Sequence, residues 1–361
     1  MTESTLGEGS RHYGAVFDSL PGLQGKVVAV TGTTSGMGLI LAATAARKGA
    51  SCVILANRAS QRAAANANMI KDVAASATEV KLVDCDLQSF ASVREAASQI
   101  EATASEYFGL DVLCNNAGIM AHPDLRTVDG YDVQMQTNHL SHFLLTALLL
   151  PSLEKAAAAR GEARIVQHGS GARNWRGDLD AEFFMKCAPG TLGGNSMRAS
   201  NTRYVMSKLS NAIFGIAMHF RLAERGSKVR SISCEPGVVG TELGTNLYNA
   251  HRKNGSGGCI RRMFGCCMMM GCNPSKGAGQ KPADGAIPLL ISCFGADTAS
   301  GDLIMPMDPM KGGAVPVKPI AGGVERTVKR AEGKDEHLVM NKASQMLLWD
   351  RSEAATGVKL L

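Results

Sequence analysis

A tyrosine and a lysine stand four residues apart, at Tyr204 and Lys208, in a stretch whose pattern predicts a helix from Arg203 to Arg225. Residues with this spacing lie on one face of a helix, about one turn from each other. An unperturbed phenol has a pKa of about 10, and lowering that pKa to ~7 requires roughly 4 kcal/mol. One cation at ~5 Å, with an effective dielectric constant of about 20, supplies on the order of 3 kcal/mol. If an oxidised nicotinamide supplies the rest, the tyrosine can act as an acid and base near neutral pH; the alternative is an ordinary pair on a surface helix.

Glycines follow the first apolar run of the chain. The run 26–31 is typical of a buried strand, and Gly32, Gly36 and Gly38 come next, before a helical stretch that begins at Leu39. Glycines at such a turn let the backbone approach a pyrophosphate, and the N-terminus of the helix presents free N–H groups to it. The order of strand, glycine turn and helix therefore predicts a dinucleotide site.

The second strand, 51–56, is followed by Asn57 and Arg58, about twenty residues beyond the last glycine of the turn. An acid at this place would bind the ribose hydroxyls of NAD and repel a 2′-phosphate. Arginine has a planar fork that suits phosphate, and the next acid is Asp72. We therefore expect NADP(H) as the cofactor, although Arg58 could also be a solvated surface charge.

Short apolar runs alternate with amphipathic helices over most of the chain. This alternation predicts an α/β fold in which a doubly wound parallel sheet (a Rossmann fold) carries helices on both faces. Ligands of such sheets bind at the carboxyl ends of the strands. Further strands are predicted at 80–84, 110–114, 164–166 and 228–234, and further helices at 59–75, 90–107 and 130–150.

We expect a single domain over 25–324, preceded by a polar extension at 1–24 and followed by a tail, 325–361, that packs on the domain through the amphipathic piece 343–349. Two segments interrupt the alternation, at about 172–202 and 241–281. Long irregular segments of this kind are often lids or binding loops, and the alternative is a disordered surface insertion. We expect them to select the substrate, with the run Met268 to Met270 as an adaptable apolar wall.

Composition narrows the class of protein. The 361 residues are 45% hydrophobic and carry a net charge of +6 that is spread along the chain, which argues against a nucleic-acid partner. The most apolar run, 143–153, is too short for an integral membrane segment. Ten cysteines without a secretory signal suggest reduced thiols and a cytoplasmic location. Four of them lie at 259–272 without a C-x-x-C pair, so we expect no metal site.

Taken together, these features resemble the short-chain dehydrogenase/reductase family over roughly residues 23–306. Ser170 and Tyr204 are 34 residues apart. This long spacing and the presence of Arg58 make the chain resemble the subset that includes retinol-dehydrogenase-like enzymes, WW-domain oxidoreductases and light-dependent protochlorophyllide reductases. The matching motifs are Thr31-Gly32-x-x-x-Gly36-x-Gly38, Asp86-Leu87, Asn115-Asn116-Ala117-Gly118, Asn138-His139-Leu140, Ser170, Tyr204-x-x-x-Lys208 and Pro236-Gly237-x-x-x-Thr241.

The resemblance implies four catalytic residues. Tyr204 would be the general acid and base, and Lys208 would lower its pKa while binding the nicotinamide ribose. Ser170 would hydrogen-bond the substrate oxygen, and Asn138 would hold a water in the proton relay. The flank of Ser170, Gln167-His168-Gly169, departs from the Asn-x-Ser that is more usual in the family.

The resemblance also implies a cofactor site. Asp86 would lie at the adenine, Asn116 would fix the strand ends and the adenosine ribose, and Pro236, Gly237 and Thr241 would line the nicotinamide. The complete set of expected cofactor contacts is Gly32, Ser35, Gly36, Met37, Gly38, Arg58, Asp86, Leu87, Asn116, Ala117, Gly118, Tyr204, Lys208, Pro236, Gly237, Val239 and Thr241.

The implied activity is hydride transfer between NADP(H) and a carbonyl or alcohol carbon of a lipophilic small molecule. Two alternatives stay open: light-dependent reduction of a C=C bond, and a non-catalytic NADP-binding sensor. Catalysis by His139 or His142 is disfavoured because neither has an acid at a known ligand spacing, and Gly169-Ser170-Gly171 is not a G-x-S-x-G elbow. By resemblance, a homodimer or homotetramer would form through the helices that begin near Gly130 and Arg203.

Overall fold

Eight strands form one sheet in the order β3-β2-β1-β4-β5-β6-β7-β8. The computed structural model describes residues 6–175, 177–240, 279–308, 311–317 and 339–361. The strands are β1 Val27–Thr31, β2 Cys52–Asn57, β3 Glu79–Asp84, β4 Val112–Asn115, β5 Ala163–His168, β6 Val229–Cys234, β7 Leu303–Asp308 and β8 Gly312–Val317.

The first seven strands pair in parallel, which confirms the predicted doubly wound sheet. The sequence pattern predicts six strands, and β7 and β8 are additional. β8 runs antiparallel to β7 at the edge, which the prediction of a parallel sheet does not include. A connection of only 309–311 separates the two strands; so short a link can make a hairpin but not a crossover.

Helices cover both faces of the sheet, and this is why every residue of β1, β2, β4 and β5 is buried. In chain order they are α1 Tyr13–Ser19, α2 Gly36–Arg47, α3 Gln61–Val73, α4 Phe90–Ser105, α5 Val133–Met135, α6 Ser141–Arg160, α7 Met197–Glu224, α8 Pro282–Gly285, α9 Ile287–Phe294 and α10 Lys342–Thr356. No helix of the described ranges is both long and apolar enough to cross a bilayer.

The helix predicted over 130–150 is divided in the structure. A π-turn at Gln136–Leu140 separates α5 from α6, and α6 continues to Arg160, where Gly161 adopts the left-handed conformation that ends it. A π-turn inserts one extra residue into the helical path and re-aims the side chains that it carries. Here it directs Asn138, which is fully buried, towards the interior.

The helix predicted to begin at Arg203 begins earlier, at Met197, because Ser196 caps it by accepting the N–H of Ala199. The segment before it contains 3₁₀ turns at Gly171–Trp175 and Ala181–Phe184. The second turn contacts α10, and Trp349 of α10 packs edge-on against Phe143 with the ring centroids 5.5 Å apart.

Candidate active site

A cleft of about 810 Å³ opens at the carboxyl ends of the parallel strands. This is the edge at which strand order reverses between β1 and β4, where open α/β sheets bind ligands. Sixteen predicted cofactor residues and Ser170 line the cleft: Gly32, Ser35, Gly36, Met37, Gly38, Arg58, Asp86, Leu87, Asn116, Ala117, Gly118, Ser170, Tyr204, Lys208, Pro236, Gly237 and Val239. Thr241 and most of the segment 241–281 lie outside the described residues.

The glycine turn packs too closely for side chains. A Cβ atom on Gly38 would lie 2.3 Å from Asn116 Nδ2 and 2.4 Å from the carbonyl oxygen of Gly32, and Gly32 itself has a φ of +74°. Ser35, the cap residue of α2, makes no side-chain bond to the helix. The first N–H groups of α2 are therefore not capped by Ser35, and the glycines that carry them line the cleft, which suits a pyrophosphate.

Asn116 joins the ends of neighbouring strands. Its Nδ2 atom donates to the carbonyl oxygens of Thr31 at 2.8 Å and Gly32 at 3.1 Å, and its Oδ1 atom lies 2.8 Å from Nδ1 of His168. The Thr31 hydroxyl accepts the N–H groups of Asn116 and Ala117, each at 3.0 Å. These bonds hold β1, β4 and β5 in one fixed arrangement beneath the cleft.

A second asparagine, Asn57, comes directly before Arg58 and holds the glycine turn at Thr33. Its Oδ1 accepts the N–H of Thr33 at 2.7 Å, and its Nδ2 donates to the hydroxyl of the same threonine at 2.7 Å. Arg58 itself is exposed at the mouth of the cleft, and Arg62, in the first turn of α3, also lines it. Asn57 and Arg62 were not among the predicted cofactor contacts; the signal was an amide at a strand end and a second cation four residues after Arg58.

Asn138 lies directly behind the cleft. Its Oδ1 accepts the N–H of Ile119 at 2.8 Å, and its Nδ2 donates to the carbonyl of Ile119 and to the Ser207 hydroxyl, both at 2.9 Å. A Cβ atom on Gly118 would lie 3.3 Å from Asn138 Oδ1 and 3.4 Å from Lys208 Nζ. The amide and the ammonium thus both approach the backbone at Gly118.

Ser170, Tyr204 and Lys208 come together on the other side of the cleft. The Ser170 hydroxyl lies beside the Tyr204 phenol and lowers its pKa. Lys208 Nζ lies 6.0 Å from the centre of the Tyr204 ring and donates to the carbonyl oxygen of His168 at 3.0 Å. Both side chains are buried, at 5% and 4% exposure, although both line the cleft.

Burial dominates the titration of this pair. It raises the pKa of Tyr204 to about 12, with a further rise from Glu235 and a partial offset from the bond to Ser170. It lowers the pKa of Lys208 to about 8. The expectation that Lys208 and an oxidised nicotinamide together bring the phenol near neutrality stays a prediction; within the protein, desolvation of the buried phenolate opposes it.

Two buried histidines support the site. Burial lowers the pKa of His168 to about 3 and that of His142 to about 4, with Lys208 lowering both further. Both imidazoles are therefore neutral at physiological pH, and each bonds to a residue that shapes the cleft, Asn116 and Thr31 respectively. The positioning role of His142 was missed because its partner Thr31 is 111 residues away in the sequence.

In the ranges that the structure describes, no three His, Cys, Asp or Glu side chains converge as a metal site would require. The four cysteines at 259–272 lie outside those ranges.

Comparison with known proteins agrees with this geometry. A family model described as short chain dehydrogenase matches residues 26–177. An uncharacterized oxidoreductase of Schizosaccharomyces pombe is 37% identical over 229 residues, which are 63% of this chain and 64% of the relative. A polyprenol dehydrogenase of Mus musculus is 36% identical over 224 residues, 62% of this chain and 63% of the relative. The chain thus spans slightly less than two thirds of the length of these two relatives.

A short-chain dehydrogenase/reductase of Armillaria gallica is 35% identical over 231 residues, which cover 64% of this chain and 70% of that protein. Among solved structures, an uncharacterized protein from Mycobacterium paratuberculosis is similar with a TM-score of 0.66 and 28% identity, and the match covers 96% of this chain and 98% of the other. On this agreement of sequence and fold, the chain belongs to the short-chain dehydrogenase/reductase family.

Proposed function

We propose that the protein is an NADP(H)-dependent oxidoreductase that moves a hydride between nicotinamide and a carbonyl or alcohol carbon of a lipophilic small molecule. Tyr204 is its general acid and base. The observation that carries the proposal is the convergence of Ser170, Tyr204 and Lys208 on the cleft that the glycine turn at Gly32 to Gly38 also lines.

The cleft suits an anionic dinucleotide. Of the charged side chains that line it within the described ranges, Arg58, Arg62 and Lys208 are basic and Asp86 is acidic. The uncapped N-terminus of α2 adds N–H groups for a pyrophosphate. When bound, the nicotinamide supplies or accepts the hydride, and the protein groups orient the substrate and move the proton.

The protein side of the reaction follows from the hydrogen bonds. Because burial raises the pKa of Tyr204 to about 12, the phenol is protonated at neutral pH and is suited to donate its proton to a carbonyl oxygen. The Ser170 hydroxyl, which lies beside that phenol and also lines the cleft, is placed to stabilise the same substrate oxygen. In the oxidative direction the phenol must first lose its proton, which nearby positive charge favours.

Apolar side chains favour a lipophilic substrate. Leu87, Ile119, Met120, Val238 and Val239 line the cleft. The relatives named polyprenol dehydrogenase in mouse and human, 36% and 31% identical to this chain, point to the same class of long-chain alcohol or aldehyde. Membership of the retinol-dehydrogenase-like subset stays a prediction.

Turnover tests the proposal. NADPH and a panel of lipophilic aldehydes and ketones, including a polyisoprenoid aldehyde, are given to the parent protein and to Tyr204→Phe, and the absorbance of reduced nicotinamide is followed. We expect turnover by the parent, a loss of at least about a hundredfold in Tyr204→Phe, and unchanged NADPH binding in both. Tyr131→Phe is the matched control, since that phenol donates to the carbonyl of Ala355 at 3.3 Å and is not among the residues that line the cleft in the described ranges.

Two outcomes would contradict this function. NADPH binding without turnover of any member of the panel would favour the sensor alternative. Turnover that requires light and reduces a C=C bond of a bound pigment would favour the light-dependent alternative.

Arg58 is the residue that we propose reads the 2′-phosphate. Arg58→Asp should shift the preference from NADP(H) towards NAD(H) by at least about tenfold in kcat/KM, because a carboxylate repels the phosphate and binds the ribose hydroxyls. Lys71→Asp, a charge reversal at an exposed position of α3, the helix that follows Arg58, should leave the preference unchanged. Equal selectivity in the parent and Arg58→Asp would show that Arg58 does not contact the phosphate.

A dimer or tetramer through α6 and α7 is proposed on the resemblance alone. These two helices also pack against α10, whose Trp349 contacts Phe143 of α6 and Phe214 of α7. Assembly would therefore have to use the surface that α10 leaves, or displace it. Light scattering coupled to gel filtration measures the mass directly.

A further inference from the structure

Arg173 and Glu235 form a buried ion pair beside the catalytic residues. The Nε–H of Arg173 donates to Oε1 of Glu235, and the two side chains are only 8% and 4% exposed. The residues come from different strand ends, since Arg173 lies in the 3₁₀ turn after β5 and Glu235 directly follows β6. Burying two charges gains little net stability, whereas removing one partner leaves the other uncompensated. A buried pair at this place therefore calls for a role other than general stability.

The pair encloses the backbone that carries Ser170. A Cβ atom on Gly169 would lie 3.5 Å from Cγ of Glu235, and one on Gly171 would lie 3.7 Å from its Oε2. Within the 3₁₀ turn, the backbone N–H of Arg173 donates to the carbonyl of Ser170 at 3.1 Å. The Ser170 hydroxyl in turn acts on the pKa of the Tyr204 phenol, so the ion pair packs on the segment that carries the neighbour of the proton donor.

The charge of Glu235 also reaches the phenol through space. Of the charged groups in the described residues, Glu235 opposes ionisation of Tyr204, and its counter-ion is Arg173. Lys208 lies four residues further along α7, and the titratable groups that act on it include His168 at the end of β5 and Cys234 at the end of β6.

These neighbours differ in charge. His168 and Cys234 are neutral because burial lowers the pKa of the imidazole and raises that of the thiol. Arg203, the residue before Tyr204, is buried with Asp124 and Asp132 at 3.7 and 3.3 Å, so its positive charge is offset by two carboxylates within that group.

We propose that Arg173 and Glu235 are positioning residues: the arginine holds the glutamate against the Ser170 segment and offsets its charge, so that the pair sets the pH at which Tyr204 releases its proton. The inference rests on the proposed role of Tyr204, but the titration of that phenol can be measured without a substrate. Neither residue touches the proton that moves; both act through Ser170 and through the field at Tyr204.

The test follows the phenol directly. The protein is labelled with 3,5-difluorotyrosine, which ionises well below tyrosine, and fluorine NMR identifies residue 204 as the resonance that Tyr204→Phe removes. Arg173→Gln should raise the midpoint of this resonance by about one pH unit, because the glutamate charge is left without its counter-ion. Glu235→Gln should lower the midpoint by a similar amount, because the arginine is then the uncompensated charge. The double variant and Arg173→Lys should both titrate close to the parent.

Opposite shifts of the midpoint in the two single variants distinguish this role from a merely structural one. If the pair were only structural, both single variants would be destabilised, and the midpoint would stay unchanged in both or shift in the same direction in both. Either of those results overturns the proposal. If Arg173→Gln does not fold, the downward shift in Glu235→Gln and its reversal in the double variant remain decisive. A protein without turnover that still shows the opposite shifts would contradict the proposed function and leave the role of the pair intact.

Discussion

The Nε2 atom of His142 lies 2.9 Å from the hydroxyl of Thr31, and its Nδ1 atom lies 3.0 Å from the carbonyl oxygen of Asn138. Because the Thr31 hydroxyl already accepts the N–H groups of Asn116 and Ala117, its own hydrogen points to the imidazole, and Nδ1–H donates to the carbonyl. A neutral imidazole therefore ties the end of β1 to the π-turn that carries Asn138.

His142→Ala should weaken both the fold and the cofactor site. The loss of two buried hydrogen bonds and the void that remains should lower the free energy of unfolding by about 2–4 kcal/mol. The freed turn at Thr31 should also weaken NADPH binding roughly tenfold. Urea denaturation and fluorescence titration with NADPH measure the two effects.

The matched control is His139→Ala. His139 is equally buried, but its Nε2 bonds the hydroxyl of Ser352 on α10 at 2.9 Å, and its ring lies against Phe184 and Phe214. It should lose a similar amount of stability with unchanged nucleotide affinity. If both variants weaken NADPH binding equally, the tether at His142 has no specific role.

Gly38→Ala should damage the dinucleotide turn. The added methyl group would overlap Asn116 Nδ2 and the carbonyl of Gly32, so one of these groups must move. We expect a loss of about 1–3 kcal/mol in stability and a loss of NADPH binding of at least about a hundredfold.

Gly14→Ala provides the comparison, because Gly14 lies within α1 and a Cβ there meets no heavy atom within 4 Å. The change should be neutral or stabilising by up to about 1 kcal/mol. Intact NADPH binding in Gly38→Ala would contradict the close packing of the turn.

Asp124 should anchor the segment that precedes α7. Its Oδ2 accepts the N–H groups of Leu192 at 2.9 Å and Gly194 at 2.8 Å, and the carboxylate lies 3.7 Å from the fully buried Arg203. Asp124→Ala should cost about 3–5 kcal/mol, since it leaves a buried cation and two N–H donors with fewer partners.

Asp124→Asn keeps an oxygen acceptor and should lose less. Urea denaturation gives the stabilities, and limited proteolysis should cut the segment near Gly190 faster in Asp124→Ala than in the parent. Equal cleavage rates would show that the segment is held by other contacts.

Stability should fall as the pH drops from 7 to 5. The folded-state pKa values of His139, His142 and His168 are about 3, 4 and 3, below the ordinary 6.5, so the unfolded chain binds more protons in this range. Each imidazole should remove on the order of 1–2 kcal/mol between these pH values. Urea midpoints at pH 7, 6 and 5 measure the sum.

Asp132 opposes this trend. Burial raises its pKa to about 6 from the ordinary 3.8, so the folded state binds its proton first and gains stability as the pH falls through 6. Asp132→Asn should therefore steepen the acid loss. A midpoint that does not change between pH 7 and 5 would contradict neutral, buried histidines.

Local patterns in the sequence were sufficient for the fold class and for the motifs. Buried strands appear as short apolar runs, and the turn at Gly32 to Gly38 needs glycine at defined positions. Both features can therefore be recognised from residues that are adjacent in the sequence. The edge hairpin of β7 and β8 was missed because its strands include Pro306, Gly312, Gly313 and Pro316, and proline and glycine are poor strand formers.

What the sequence by itself determined is which side chains stand at the strand ends and on the helix of Tyr204. Tertiary structure alone decided how they are paired and whether they are charged. Arg173 and Glu235 are 62 residues apart, and His142 and Thr31 are 111 apart, so no spacing rule connects them. The pKa of Tyr204 could not be predicted either, because desolvation depends on every group that packs around the phenol, and the sequence does not list those groups.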